Sequence, residues 1–156
     1  MIFVKNASEA DQPRFAVLGV DTPLVLPGAL ADGGNDDEFQ RQVALSCVLP
    51  SDAVLRGRCV GVLEPIAAGA IGRACAAGVT AVRLFVVDES ETQADVLDGD
   101  ATRLTTVTSG GAAQVLWKEP PPEGSTEGGE YEVWAVVRFG TPGGDRPMMI
   151  KLTGAA

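Results

Sequence analysis

The stretch from Arg58 to Glu89, RCVGVLEPIAAGAIGRACAAGVTAVRLFVVDE, is the longest apolar part of the chain, and glycines and small residues cut it into pieces. How it is cut decides the fold class. If Ala67-Ala68-Gly69-Ala70-Ile71-Gly72 were the glycine-rich turn of a dinucleotide site, a helix would follow, and Asp88 or Glu89 would be the ribose acid. A crossover helix must carry the chain back along a whole strand, which takes about a dozen residues. Only Arg73 to Ala77 lie between Gly72 and Gly78, and Ala67 stands where that turn needs a residue without a Cβ. The stretch therefore reads as three antiparallel strands over 59–64, 70–76 and 80–87, joined by turns at Ala67-Ala68-Gly69 and Ala77-Gly78. Val82, Leu84 and Val86 then share one face of the last strand. Gly72, Ala74 and Ala76 share one face of the middle strand, where a neighbouring backbone could come close.

The rest of the chain has the same short alternating runs. Strands are expected at 14–20, 24–26, 43–49, 94–97, 102–108, 114–118, 131–139 and 148–152, with one helical turn at 38–42. Asp21-Thr22-Pro23 and Asp98-Gly99-Asp100 read as turns. The clearest hairpin joins 114–118 to 131–139. In its second arm Tyr131, Val133, Ala135, Val137 and Phe139 face one way, and Glu132, Trp134, Val136 and Arg138 the other. Its linker 119–130, EPPPEGSTEGGE, has the composition of a solvated loop tip. Roughly nine or ten short strands at this spacing predict an all-β fold, a single small antiparallel barrel or sandwich with short turns and one long hairpin loop. Residues 1–156 read as one domain with a short N-terminal arm (1–12) and a flexible C-terminal tail (153–156). No dividing linker and no long-period repeat is visible.

Charge and residue types narrow the chemistry. The net charge of −9 argues against nucleic acid as a partner, because a phosphate backbone calls for a basic patch. No apolar run reaches the roughly 20 residues of a membrane span, so no membrane partner is expected. The start, MIFVKNASEAD, lacks a basic region and a long apolar middle and does not read as a signal peptide. The chain has no histidine, which removes Ser–His and Cys–His nucleophiles and histidine-ligated zinc. Cys47, Cys59 and Cys75 are widely spaced on apolar runs and read as buried, reduced thiols. Asp21-Thr22-Pro23 is similar to the Asp-Thr-Gly of aspartic proteases, but Pro23 removes an N–H and the room for close approach. Asp95, Asp98 and Asp100 around Gly99 do not have EF-hand spacing and read as a solvated turn. No catalytic residue, metal or cofactor is expected. Trp117 and Trp134, on opposing arms of one hairpin, form either a cross-strand pair in the core or a contact surface. Met1, Ile2, Phe3 and Val4 make an apolar arm that either adds a strand to a partner's sheet edge or closes the chain's own barrel. These six residues are the candidate assembly contacts.

Four pieces in order carry a resemblance. They are Arg14-Phe15-x-Val17-Leu18-Gly19, Glu64-Pro65-Ile66-x-x-Gly69-x-Ile71-Gly72-Arg73-Ala74, Ser109-Gly110-Gly111-x-Ala113-Gln114-Val115-Leu116-Trp117-Lys118-Glu119 and Trp134-Ala135-Val136-Val137-Arg138. The resemblance they carry extends over most of the chain. In this order it resembles small, functionally uncharacterised proteins encoded in phage and prophage structural gene regions, often near head genes. The middle piece looks like the strand–turn–strand repeat of small head-decoration proteins. The chain departs from that pattern at Pro120 to Glu130, where a shorter loop is expected. The resemblance implies a non-enzymatic virion structural protein, assembled in the host cytoplasm. The leading form is a capsid decoration or cement protein that binds the major capsid protein as a homo-oligomer, a trimer being one candidate. The alternatives are a tail, neck or fibre component, and a small cytosolic enzyme or nucleotide binder using Gly69 to Gly72.

Overall fold

The computed structural model describes residues 1–28, 35–51 and 57–140. The expected strand at 148–152 and the tail at 153–156 lie outside the described residues. Within them the fold is all-β, as the alternation predicts. The strands are β1 (Ile2–Asn6), β2 (Val17–Pro23), β3 (Ala44–Val48), β4 (Cys59–Val62), β5 (Ile71–Cys75), β6 (Gly78–Val86), β7 (Gln93–Leu97), β8 (Asp100–Val107), β9 (Ala113–Lys118) and β10 (Tyr131–Phe139). One short helix, α1 (Asp36–Arg41), is capped by Asn35, whose side chain accepts from the Glu38 N–H.

The strands close into two five-stranded barrels, β1-β3-β2-β4-β5 and β10-β6-β8-β7-β9. Both follow one path. The first strand of each barrel lies parallel to the third, β1 beside β3 and β6 beside β8. The third pairs with the second, the second with the fourth, the fourth with the fifth, and the fifth returns to the first, all antiparallel. The second barrel thus repeats the first strand for strand. This is a repeat of topology that the sequence does not show, because closing a barrel demands alternation of inward and outward residues and not particular side chains.

Four expectations change in consequence. The stretch from Arg58 to Glu89 is not one three-stranded meander: β4 and β5 pair, but β6 pairs with β8 and β10 and opens the second barrel. The first residues do not form a projecting arm, because β1 is paired along both edges, with β3 and β5. Asp21, Thr22 and Pro23 continue β2 and do not turn. Two parallel strand pairs stand among the antiparallel ones.

The barrels share a buried seam. Val17, Gly61 and Cys75 are direct neighbours across β2, β4 and β5, and with Cys59 they face away from the interior of the first barrel. Val17, Cys59 and Cys75 belong to the apolar cluster that fills the second barrel, together with Leu84, Leu104, Val133 and Phe139. Gly61 is bare because Phe139 needs the space: a Cβ there would lie 3.1 Å from the Phe139 ring and 3.2 Å from Thr80. The first barrel has its own cluster around Val4, Leu18, Val60, Val62 and Ile66.

The 63–70 connection between β4 and β5 folds over one end of the first barrel. Gln12 and Ile66 exchange both backbone hydrogen bonds, at 2.9 Å each. Asn6 is fully buried there. Its amide donates to the carbonyls of Ala10 (2.7 Å) and Ile66 (2.9 Å), and its side-chain oxygen accepts from the N–H and hydroxyl of Ser8. Gly72 makes room for the Ile66 side chain, whose Cγ1 lies 2.6 Å from where a Cβ would be, and not for a neighbouring backbone. A close backbone approach does occur elsewhere, at Gly111, where a Cβ would collide with the Ala94 carbonyl.

Candidate assembly surface

In each barrel the outward face of the first and fifth strands carries large apolar side chains in contact with water. On the first barrel these are Met1, Phe3 and Ile71, with Val43 beside β3. Register places Phe3 opposite Arg73 and Lys5 opposite Ile71. A shallow cleft of about 590 Å³ runs along them, lined by Met1, Phe3, Arg41, Val43, Ala44 and Ile71 among others. Arg73 is fixed by Glu64, its guanidinium 2.9 Å from the carboxylate. That hydrogen bond holds the Glu64 carboxyl below its ordinary range. Of the four apolar residues proposed as contacts here, Met1 and Phe3 point outward, Ile2 is half-buried, and Val4 is fully buried in the barrel core. A strand paired on both edges has no free edge to lend, so β1 closes its own barrel and does not add to a partner's sheet.

On the second barrel the corresponding face carries Val79 and Trp134, with Leu116 and Trp117 on the neighbouring β9. Trp134 sits opposite Arg83, and Trp117 opposite Val136. Neither tryptophan is in the core: Trp117 is 55% exposed and Trp134 39%. The core pair is therefore not formed, and both rings stand on the solvent face. For Trp134 the signal was in the sequence, since the apolar set from Tyr131 to Phe139 takes the inner face and leaves Trp134 outside. For Trp117 it was not. A bulge leaves Leu116 without a partner between the Val136–Trp117 and Val137–Val115 pairs, and turns both residues to solvent.

A ladder of charges and rings crosses this face. The Arg83 guanidinium lies 5.1 Å from the centre of the Trp134 ring and its Nε 3.0 Å from Glu132. Glu132 also meets Arg103 at 3.1 Å, and Arg103 stacks over Phe85 and pairs with Asp100. Burial of the Asp100 carboxyl opposes ionisation, but hydrogen bonds from Thr102 and Arg103 outweigh it and hold the pKa below the ordinary value. Phe15 reaches across from the first barrel and meets Trp134 edge-on, 5.8 Å between centres and 82° between planes. Phe15 has φ +70°, a conformation bulky residues rarely adopt, and its N–H donates to the Val62 carbonyl at 2.7 Å. Sequence reasoning missed Phe15, since nothing in Arg-Phe-Ala marks a left-handed residue.

The other expected features are scattered. Cys47, Cys59 and Cys75 are free and buried. Burial, with Asp21 near the first and Asp95 near the second, pushes the Cys47 and Cys59 thiols up to about 12. The turn at Gly69, φ +79°, leads into the strand β5 and not into a helix, so the platform for a dinucleotide is missing at Gly69 to Gly72. Asp98-Gly99-Asp100 is the turn between β7 and β8, with Gly99 at φ +71°. Among the described residues no three or more Cys, Asp or Glu side chains gather in a way that could hold a metal, and no helix is long and apolar enough to cross a membrane.

No protein-family model, no curated protein and no solved structure matches the chain.

Proposed function

We propose that this chain is a non-enzymatic bacteriophage virion structural protein, a decoration or cement protein that binds the major capsid protein and reinforces the head lattice from outside. The observation that carries the reading is the pair of corresponding strand faces, each with exposed apolar anchors beside arginines. Contiguous exposed apolar surface on a soluble fold marks contact sites, and aromatic and arginine side chains are the usual anchors of such contacts. Closure of both sheets suits the role as well, since a protein displayed at high density gains from having no free strand edge to aggregate through. The contacts are Met1 and Phe3 on one barrel and Trp117 and Trp134 on the other. Two like faces on one chain also suit a small homo-oligomer, a trimer among the options, because repeated contacts close into rings.

The test is to mix the purified chain with assembled capsids and count bound copies by gel densitometry. Hundreds of copies per particle, lost in a Phe3→Ser/Trp117→Ser double variant that remains folded, is the expected result. Roughly a dozen or fewer copies, the count of a single closed ring, would move the protein to the tail, neck or fibre. No binding to any virion part would overturn the reading.

A further inference from the structure

The two barrels end differently at corresponding places. In the first, the connection between the fourth and fifth strands closes the end with Ile66 and the Asn6 amide. In the second, the same connection is the 119–130 loop, which stands beside the end without filling it. A cleft of about 450 Å³ remains, within the size range of small-ligand sites. Its walls include Val87 and Pro121, the acidic residues Asp88, Glu89 and Glu127, and the loop's Ser125–Gly129 side; the Asp88 carboxylate also accepts from the Ser90 N–H and hydroxyl. Tyr131 lines it, only 9% exposed. The Tyr131 hydroxyl is shielded from solvent and makes no hydrogen bond with any described residue.

We propose that this end of the second barrel binds an alkylammonium group. A buried polar atom without a partner calls for an explanation, and a bound donor supplies one. The carboxylates set the sign of that donor. The chain's own Lys118 ammonium already bonds the Glu89 carbonyl at 2.8 Å, so the field here draws ammonium groups. One lysine against three carboxylates leaves the cleft negative. Val87, Pro121 and the Tyr131 ring accept the alkyl stem, while the phenol oxygen and carboxylates take the N–H groups. The loop wall is pre-shaped by its own bonds: the Ser125 N–H and hydroxyl donate to the Pro122 carbonyl, and the Gly129 N–H to that of Thr126. The chemistry fits two sources, a free polyamine or a lysine side chain of a bound protein. The site stands independently of the virion reading.

Tyr131 is the only tyrosine in the chain, so ring labelling gives a single resonance to follow. The full chain is titrated at low salt with spermidine and, separately, with Nα-acetyl-lysine amide. The expected result is a saturable shift of the Tyr131 signal. Calorimetric affinity should fall at least about tenfold in a Glu89→Gln/Glu127→Gln double variant, and measurably in Tyr131→Phe, which removes only the unbonded hydroxyl. Spermidine binding at least about tenfold tighter than the lysine amide assigns the site to free polyamine, and near-equal binding to a partner's lysine. No saturable shift with either probe, or affinity unchanged in both variants, would overturn the proposal.

Discussion

In the first barrel the connection between the fourth and fifth strands returns over the barrel end, buries Ile66 and hydrogen-bonds to Gln12 and Asn6. In the second barrel the same connection is longer, rich in proline and glycine, and almost wholly exposed. One strand path has thus been finished in two ways, by a polar plug and by an aromatic ring. The first end is sealed by four hydrogen bonds on one buried asparagine. The second is sealed by the Tyr131 ring, whose hydroxyl no described residue hydrogen-bonds. The path fixes which strands neighbour which, while the connections decide which ends are closed.

The barrels are joined through Phe139, and removing it should have the largest effect. Phe139→Ala deletes a ring that is 2% exposed and fills the space over Gly61. The expected loss is about 3–5 kcal/mol, the range for a buried phenylalanine. Because the seam cluster includes Val17, Cys59 and Cys75 of the first barrel, denaturant unfolding should stay a single transition. Two separated transitions in the wild-type chain would show that the barrels are independent units.

Asn6→Ala comes next. It strips the donors from two carbonyls and removes the acceptor of Ser8. A loss of about 2–3 kcal/mol is expected, since the unsatisfied groups remain behind. Hydrogen exchange should rise first at Gly69 and Ile66, on the first barrel's connection, with the second barrel's strands following only the global change. Equal loosening of both barrels would break the contrast between their ends.

Alkaline pH should weaken the fold through the thiols. Burial raises Cys47 and Cys59 from 9.0 to about 12. Below about 9 the thiols are protonated in both states and stability is intact. Above it the unfolded chain loses protons first, and stability falls until the folded thiols ionise near 12. For Cys59 at the seam the loss should reach about 2–3 kcal/mol near pH 11. Cys59→Ala should flatten that slope in urea melts taken across the range, and an unchanged slope would refute the assignment.

The Phe15–Trp134 contact is worth less. A double-mutant cycle to leucine should give a coupling of about 0.5–1.5 kcal/mol, the range for edge-on aromatic pairs. A coupling near zero would mean that the two barrels are held by the seam alone.

Most strands were legible because their apolar residues alternate over short runs, and Tyr131–Phe139 was expected at those limits. Pairing was harder to read. Ala76-Ala77-Gly78 looks like any hairpin turn, yet the chain changes barrels there. Local alternation is the same whether the next strand pairs with the last one or starts a new sheet. The parallel neighbours β1 and β3 are distant in sequence, so no turn chemistry announces them. Of the candidate surface, Phe3 and Trp134 could be placed outward by counting in twos from Val4 and Val133. Trp117 needed the bulge, and Phe15 needed a positive φ.

Shortening the 119–130 loop should have the smallest effect on stability and the sharpest bearing on the comparison. Apart from its base, where Glu119 and Trp134 are joined by two hydrogen bonds, the loop's backbone bonds are internal to it. Loop-closure entropy changes slowly with length, so cutting it to a turn of about four residues should alter stability by under about 1 kcal/mol. If the loop is only a wall, the shortened chain keeps its melting transition and loses the cleft. If stability drops by several kcal/mol, the loop is a plug like 63–70 in the first barrel, and the two ends are alike after all. A hairpin that closes as well without its tip would leave the Tyr131 ring, among the described residues, to seal the second barrel end.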